Sequence, residues 1–185
     1  MRRIRYLVAT SLDGYIAGPK GETDWIVENP DFDFRALFEQ FDTALLGRRT
    51  YELTRMPGAP PWPPGISVYV FSRKLRQRDH PDVSIVADKL EETLSALRAK
   101  PGKDIWLFGG GSLFRSVLGA GLVDTVEIAV NPVLLGAGTP LLPPPADQAK
   151  LTLIGHEAHK TGLVYLRYAA RRTATEPAVA TAGPA

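Results

Sequence analysis

The chain contains no cysteine among its 185 residues, which excludes disulfides, thiolate nucleophiles and cysteine-based metal sites. Histidine is scarce too: His80, His156 and His159 are the full set, and they show no metal-ligand spacing. His156 and His159 stand three apart in a stretch that reads as a strand, where they would face opposite sides. A structural role is therefore expected for them, and no metal. Neither sign of charge dominates. The formal net charge is +2, with acids and bases mixed along the chain, whereas nucleic-acid binders concentrate their positive charge. No apolar run approaches the roughly 18 residues of a membrane span. Asp13 and Gly14 interrupt the apolar stretch behind the basic Met1-Arg2-Arg3, so neither a signal peptide nor a membrane segment is read, and a cytoplasmic location is expected.

What remains is ordinary globular material. At 44% hydrophobic, the chain can build one full core but not two comfortable ones, so a single domain over residues 1–172 is expected. Residues 173–185 are mostly Ala, Thr and Pro and read as a disordered tail.

The run Ile4 to Thr10 reads as a first strand. Phe34, Leu37, Phe38 and Phe41 fall at i, i+3, i+4 and i+7, the pattern of an amphipathic helix. Thr43 to Leu46 follows as a short buried strand, and Gly47 turns it into a helix from Arg49 to Arg55. Five prolines around Trp62 make Pro57 to Gly65 an extended loop. Strands are expected at Ser67 to Phe71 and Val83 to Val86, then a helix carrying Leu90, Leu94 and Leu97 behind an Asp88/Glu91 capping box. Val126, Ile128 and Val130 alternate as a strand before a Gly- and Pro-rich loop from Asn131 to Pro145. Leu151 to His159 and Leu163 to Tyr168 flank a tight Lys160-Thr161-Gly162 connection and should pair as a hairpin. The order predicts an α/β domain, a mostly parallel central sheet flanked by helices with a C-terminal antiparallel hairpin.

Phe108-Gly109-Gly110-Gly111-Ser112 lies between a strand-like run and a helix that begins near Leu113. Glycines at such a turn let a ligand approach the backbone, and the free N–H groups of the helix start favour an anion. A plain sharp turn is the competing explanation. The segment is not a Walker loop, since Ser112 and Leu113 stand where Lys and Ser/Thr are needed. It is not a Rossmann fingerprint either, because Phe114 occupies the third glycine position.

Three further segments lie at expected strand ends: Ser11-Leu12-Asp13-Gly14-Tyr15-Ile16-Ala17, Gly47-Arg48-Arg49-Thr50-Tyr51-Glu52, and Ser72-Arg73. In an open α/β sheet that edge is where ligands bind. Taken in this order, the segments resemble the dihydrofolate-reductase-like superfamily, and most closely the reductase domain of bacterial riboflavin biosynthesis, the RibD C-terminal domain, over residues 2 to 170. The resemblance implies a reductase using NADPH on a pyrimidine- or pterin-type heterocycle. It implies cofactor contacts from Ala9, Ile16, Gly47, Arg48, Arg49, Thr50, Ser72, Arg73, Gly109, Gly110, Gly111, Ser112 and Leu113. The arginines would meet the pyrophosphate and the 2′-phosphate, and Ser72 with Arg73 would favour NADPH over NADH. Candidates for the catalytic role are Asp13, Asp33 and Asp31. A backbone-bonding turn competes for Asp13 and helix capping for Asp33. Trp25 and Phe34 are candidate substrate contacts, with the Trp62 loop suited to stacking on a flat ring and covering it, core packing being the competing explanation for all three; a homodimer is implied.

Two positions depart from the resemblance. Leu7 stands where riboflavin-type reductases usually carry a lysine, and Trp25 follows Asp24 where a dihydrofolate reductase would show Pro-Trp. A dihydrofolate or pterin reductase and a non-catalytic NADP-binding sensor are the alternatives.

Overall fold

The structure, a computed structural model, describes residues 1–30 and 32–170, with the side chain of Phe34 left out. The tail from Thr173, Asp31 and the Phe34 side chain thus lie outside the described residues. The strands are β1 (Ile4–Ser11), β2 (Tyr15–Ala17), β3 (Phe41–Gly47), β4 (Ser67–Phe71), β5 (Ser84–Val86), β6 (Asp104–Gly109), β7 (Thr125–Asn131), β8 (Thr139–Pro140), β9 (Leu151–Ala158) and β10 (Val164–Ala170). The helices are α1 (Phe34–Phe38), α2 (Arg48–Leu53), α3 (Leu90–Ala99) and α4 (Gly111–Gly119), with one 3₁₀ turn at Gln77–Asp79.

Eight strands form one sheet in the order β5-β4-β3-β6-β1-β7-β10-β9. Pairs from β5 across to β7 are parallel, while β10 runs antiparallel to both β7 and β9. The central strands are apolar on both faces because both faces are covered: Ile4, Leu45, Ile105 and Leu107 are fully buried. On one face Leu94 and Leu97 of α3, with Leu113, Phe114 and Val117 of α4, pack over Ile4, Tyr6 and Leu107. The other face is covered in two patches, one holding Leu37 of α1 and one holding Tyr51 of α2.

Three local expectations are corrected. The helix that opens at Phe34 ends at Phe38, and Phe41 is the first residue of β3. Its buried ring continues the apolar pattern from a strand start rather than from a further helical turn. The Asp88/Glu91 capping box is absent: Lys89, in the left-handed conformation at φ 61°, precedes α3 with no side-chain cap. The Asp88 carboxylate instead faces Arg73 Nε at 3.3 Å. Finally, the segment expected as a loop from Asn131 to Pro145 contains β8, which pairs with β2 in a small second sheet. The Pro57 to Gly65 segment has no regular structure, as its prolines require.

Candidate functional site

A cleft of about 2060 Å³ runs along the carboxyl ends of the parallel strands. Its walls come from Ala9 of β1, Ile16 and Ala17 of β2, the β3–α2 turn, the end of β4 and the β6–α4 turn. Four segments far apart in sequence therefore meet in one place. Gly47, Arg48, Arg49, Thr50, Ser72, Arg73, Gly110, Gly111, Ser112 and Leu113 all line it.

This half of the cleft is cationic and lined by bare backbone. Arg48 is drawn back to Glu52, Nη1 to Oε1 at 2.7 Å, and Arg73 pairs loosely with Asp88 in solvent. Arg49 is exposed with no ion-pair partner among the described residues. At the start of α4, the amides of Leu113 and Phe114 bond Gly110 O, and those of Gly111 and Ser112 have no acceptor within the helix.

The three glycines do different jobs. Gly109, whose peptide to Gly110 is cis, sits at φ 137°, which a side chain disfavours, and it lies behind the cleft wall. A Cβ on Gly110 would come within 3.2 Å of Thr50 Oγ1, and one on Gly111 within 2.6 Å of Pro140 O. Gly111 is thus small to admit the protein's own 140–143 segment, while Gly110 keeps the cleft wall flat beside Thr50.

The other half is aromatic. Trp106 is stacked with Phe38 at 5.0 Å and meets Phe108 edge-on at 4.7 Å. Trp62, from the proline-rich loop, packs edge-on against both Trp106 and Phe108. Leu7, Leu37, Leu163 and Tyr165 complete the wall. Beneath it lies a buried ionic network. Glu127 accepts from Arg5 Nε at 2.6 Å, Arg5 Nη2 at 2.7 Å, Thr125 Oγ1 at 2.8 Å and the Tyr165 hydroxyl at 2.6 Å. Burial alone would raise the Glu127 pKa, but the hydrogen bonds from Arg5 and Tyr165 with the Arg5 charge hold it below the ordinary range. Burial and the same carboxylate push the Tyr165 phenol up.

Other sequence candidates lie elsewhere. Asp13 is not on the cleft wall. Its carboxylate accepts from Ser11 Oγ at 2.6 Å and from the amides of Gly136 at 2.7 Å and Leu135 at 3.1 Å. The Ser11 bond first, then these amides, keep its pKa low. Asp33 is exposed and caps α1, accepting from Ala36 N at 2.8 Å. Trp25 is also off the wall, its indole N–H donating to Glu22 O at 3.0 Å. His159 packs its ring near Phe32 while His156 is exposed.

The sequence matches the RibD C-terminal domain family across residues 2–165. It is also 33% identical over 178 residues to the uncharacterised protein YyaP of Bacillus subtilis, covering 90% of this chain and 94% of that one.

The chain belongs to the RibD C-terminal domain family.

Within the RibD C-terminal domain family and its structural relatives, a provisionally assigned riboflavin biosynthesis protein of Shewanella sp. PV-4 superposes with a TM-score of 0.79 at 32% identity, covering 93% of this chain and 100% of that one. The dihydrofolate reductase of Enterococcus faecalis, solved with NADP(H), shares the fold at a TM-score of 0.65 and 19% identity, covering 91% and 96%. The chain thus has the dihydrofolate-reductase-like fold of the RibD C-terminal domain family. For a RibD C-terminal domain, sequence reasoning missed Trp106, Leu163 and Tyr165, which come from strands and a hairpin that no local pattern brings together. Their signal was a large apolar or aromatic residue in or beside a strand, indistinguishable in sequence from core.

Proposed function

We propose that the chain is an NADPH-dependent reductase that delivers hydride to a pyrimidine- or pterin-type heterocycle. The observation that carries this is the joining of two unlike halves in one cleft: an arginine-rich wall with exposed glycine backbone, and an aromatic wall of Trp62, Trp106 and Phe108. The residues present fit the cofactor. Arg49, with no ion-pair partner among the described residues, and Ser72 with Arg73 at the next strand end offer donors to a 2′-phosphate. The Gly111 and Ser112 amides offer donors to a pyrophosphate at the start of α4, and Gly110 leaves that wall without a side chain. When bound, NADPH supplies hydride from its nicotinamide ring to an electron-poor carbon. The protein's own part is to hold both rings and exclude water from the aromatic half. A nucleotide sensor would need the first half of the cleft and not the second, which favours turnover.

Titration of the protein with NADPH and, separately, NADH tests the cofactor assignment. Micromolar NADPH binding with much weaker NADH binding is expected, and no binding of either would remove the reductase assignment. We also propose a homodimer, joined through the outer strand β9.

A further inference from the structure

We infer that the aromatic half of the cleft takes an uncharged, flat ring without a phosphate group. This deepens the reductase assignment and rests on it for the placement of NADPH in the arginine-rich half. Among the described residues, every charged side chain lining the cleft comes from the Lys20 loop, α2, the turn after β4 or the start of α3. Lys20 stands in the exposed loop beside the Glu22 carboxylate, which feels its charge. None of these belongs to the wall formed by Leu7, Leu37, Trp62, Trp106, Leu163 and Tyr165.

Two polar groups of that wall are committed to the protein itself. The Trp106 indole N–H donates to the Leu7 carbonyl at 3.2 Å, and the Tyr165 hydroxyl donates to Glu127 at 2.6 Å. Arg5 is the buried cation beneath. Its guanidinium is held by Glu127 on two nitrogens and by Gln40 Oε1 at 2.6 Å on the third, with Asp104 at 3.4 Å and the Phe41 ring 4.7 Å away. Glu127 is saturated by Arg5, Thr125 and Tyr165. The wall therefore presents hydrocarbon and ring faces over a charge pair that has neutralised itself. A phosphate entering it would lose its water and meet no cation in that wall, whereas a neutral ring would only exchange water for aromatic surface.

The experiment is calorimetric titration of the full-length protein, alone and with NADPH, using 2-naphthol and 2-naphthyl phosphate, which differ only in the charged group. The neutral compound should bind about tenfold or more tightly than its phosphate. The variant Trp62→Ala should lose about tenfold in naphthol affinity while NADPH affinity is unchanged. Equal or tighter binding of the phosphate, or binding of neither compound, overturns the inference. NADPH binding measured in its own titration reports the reductase assignment separately, since naphthol binding to the protein alone needs no cofactor.

Discussion

Glu127 accepts four hydrogen bonds while almost wholly buried, and this makes it a fixed charge rather than a working acid. Replacing it, Glu127→Gln, leaves the Arg5 guanidinium buried beside a neutral amide. The expected cost is about 3–5 kcal/mol of stability, read from urea unfolding. The sign of the pH effect follows from its lowered pKa. The folded carboxyl ionises more easily than the unfolded one, so its stabilisation is present above the ordinary value of about 4.3 and fades as pH falls through the folded value. Stability of the native protein should therefore drop steeply in acid, and the Glu127→Gln variant should show a flatter acid limb. On the cofactor side, Arg49→Ala should weaken NADPH binding by about tenfold or more, the scale of a lost charge-assisted bond. NADH binding, which involves no 2′-phosphate, should change much less. Arg48, already paired with Glu52, should matter less than Arg49.

The elements differ in how openly the sequence announces them. Strands buried on both faces write continuous apolar runs, so β1, β3 and β6 and the terminal hairpin were visible with boundaries shifted by a few residues. The end of α1 was not, because Phe41 satisfies a helical i+7 spacing and a strand start equally well. The capping box was not formed because Asp88 faces Arg73 and the chain enters α3 through a left-handed Lys89. Strands β2 and β8, three and two residues long, are too short to show any period. At the β6–α4 turn the glycine cluster was visible, yet the reason for each glycine was not: Gly111 faces the carbonyl of a residue about thirty positions away. Gly111→Ala should therefore lower thermal stability by pushing against Pro140 and Pro143, at about 1–3 kcal/mol. Gly110→Ala, which meets the Thr50 hydroxyl at 3.2 Å and Ile16 Cδ1 only at ordinary contact distance, should spare stability and weaken NADPH binding. Thermal unfolding and nucleotide titration separate the two.

Across the whole molecule, the arginine- and glycine-rich half of the cleft was legible because its groups sit in short contiguous segments next to strands. Of the aromatic half only the Trp62 loop was legible, since Leu7, Trp106 and Tyr165 join it only when β1, β6, β10 and that proline-rich loop come together. The sheet also ends in an unusual edge: β9 exposes Leu151, Leu153 and Ile154, the last two by more than half of their surface. Such an edge invites pairing with a second chain. Sedimentation should find a dimer, and Leu153→Lys together with Ile154→Lys should yield monomers.

Asp13 binds the Leu135 and Gly136 amides, Leu12 N bonds Val133 O, and Leu141 N bonds Gly14 O, so two distant loops are stitched together along their length. The second loop then runs on to Pro140 and Pro143, against Gly111. Its tip, from Leu134 to Ala137, is largely exposed. A protease that nicks the chain there would leave the eight-stranded sheet intact while releasing the brace that seats the glycine turn.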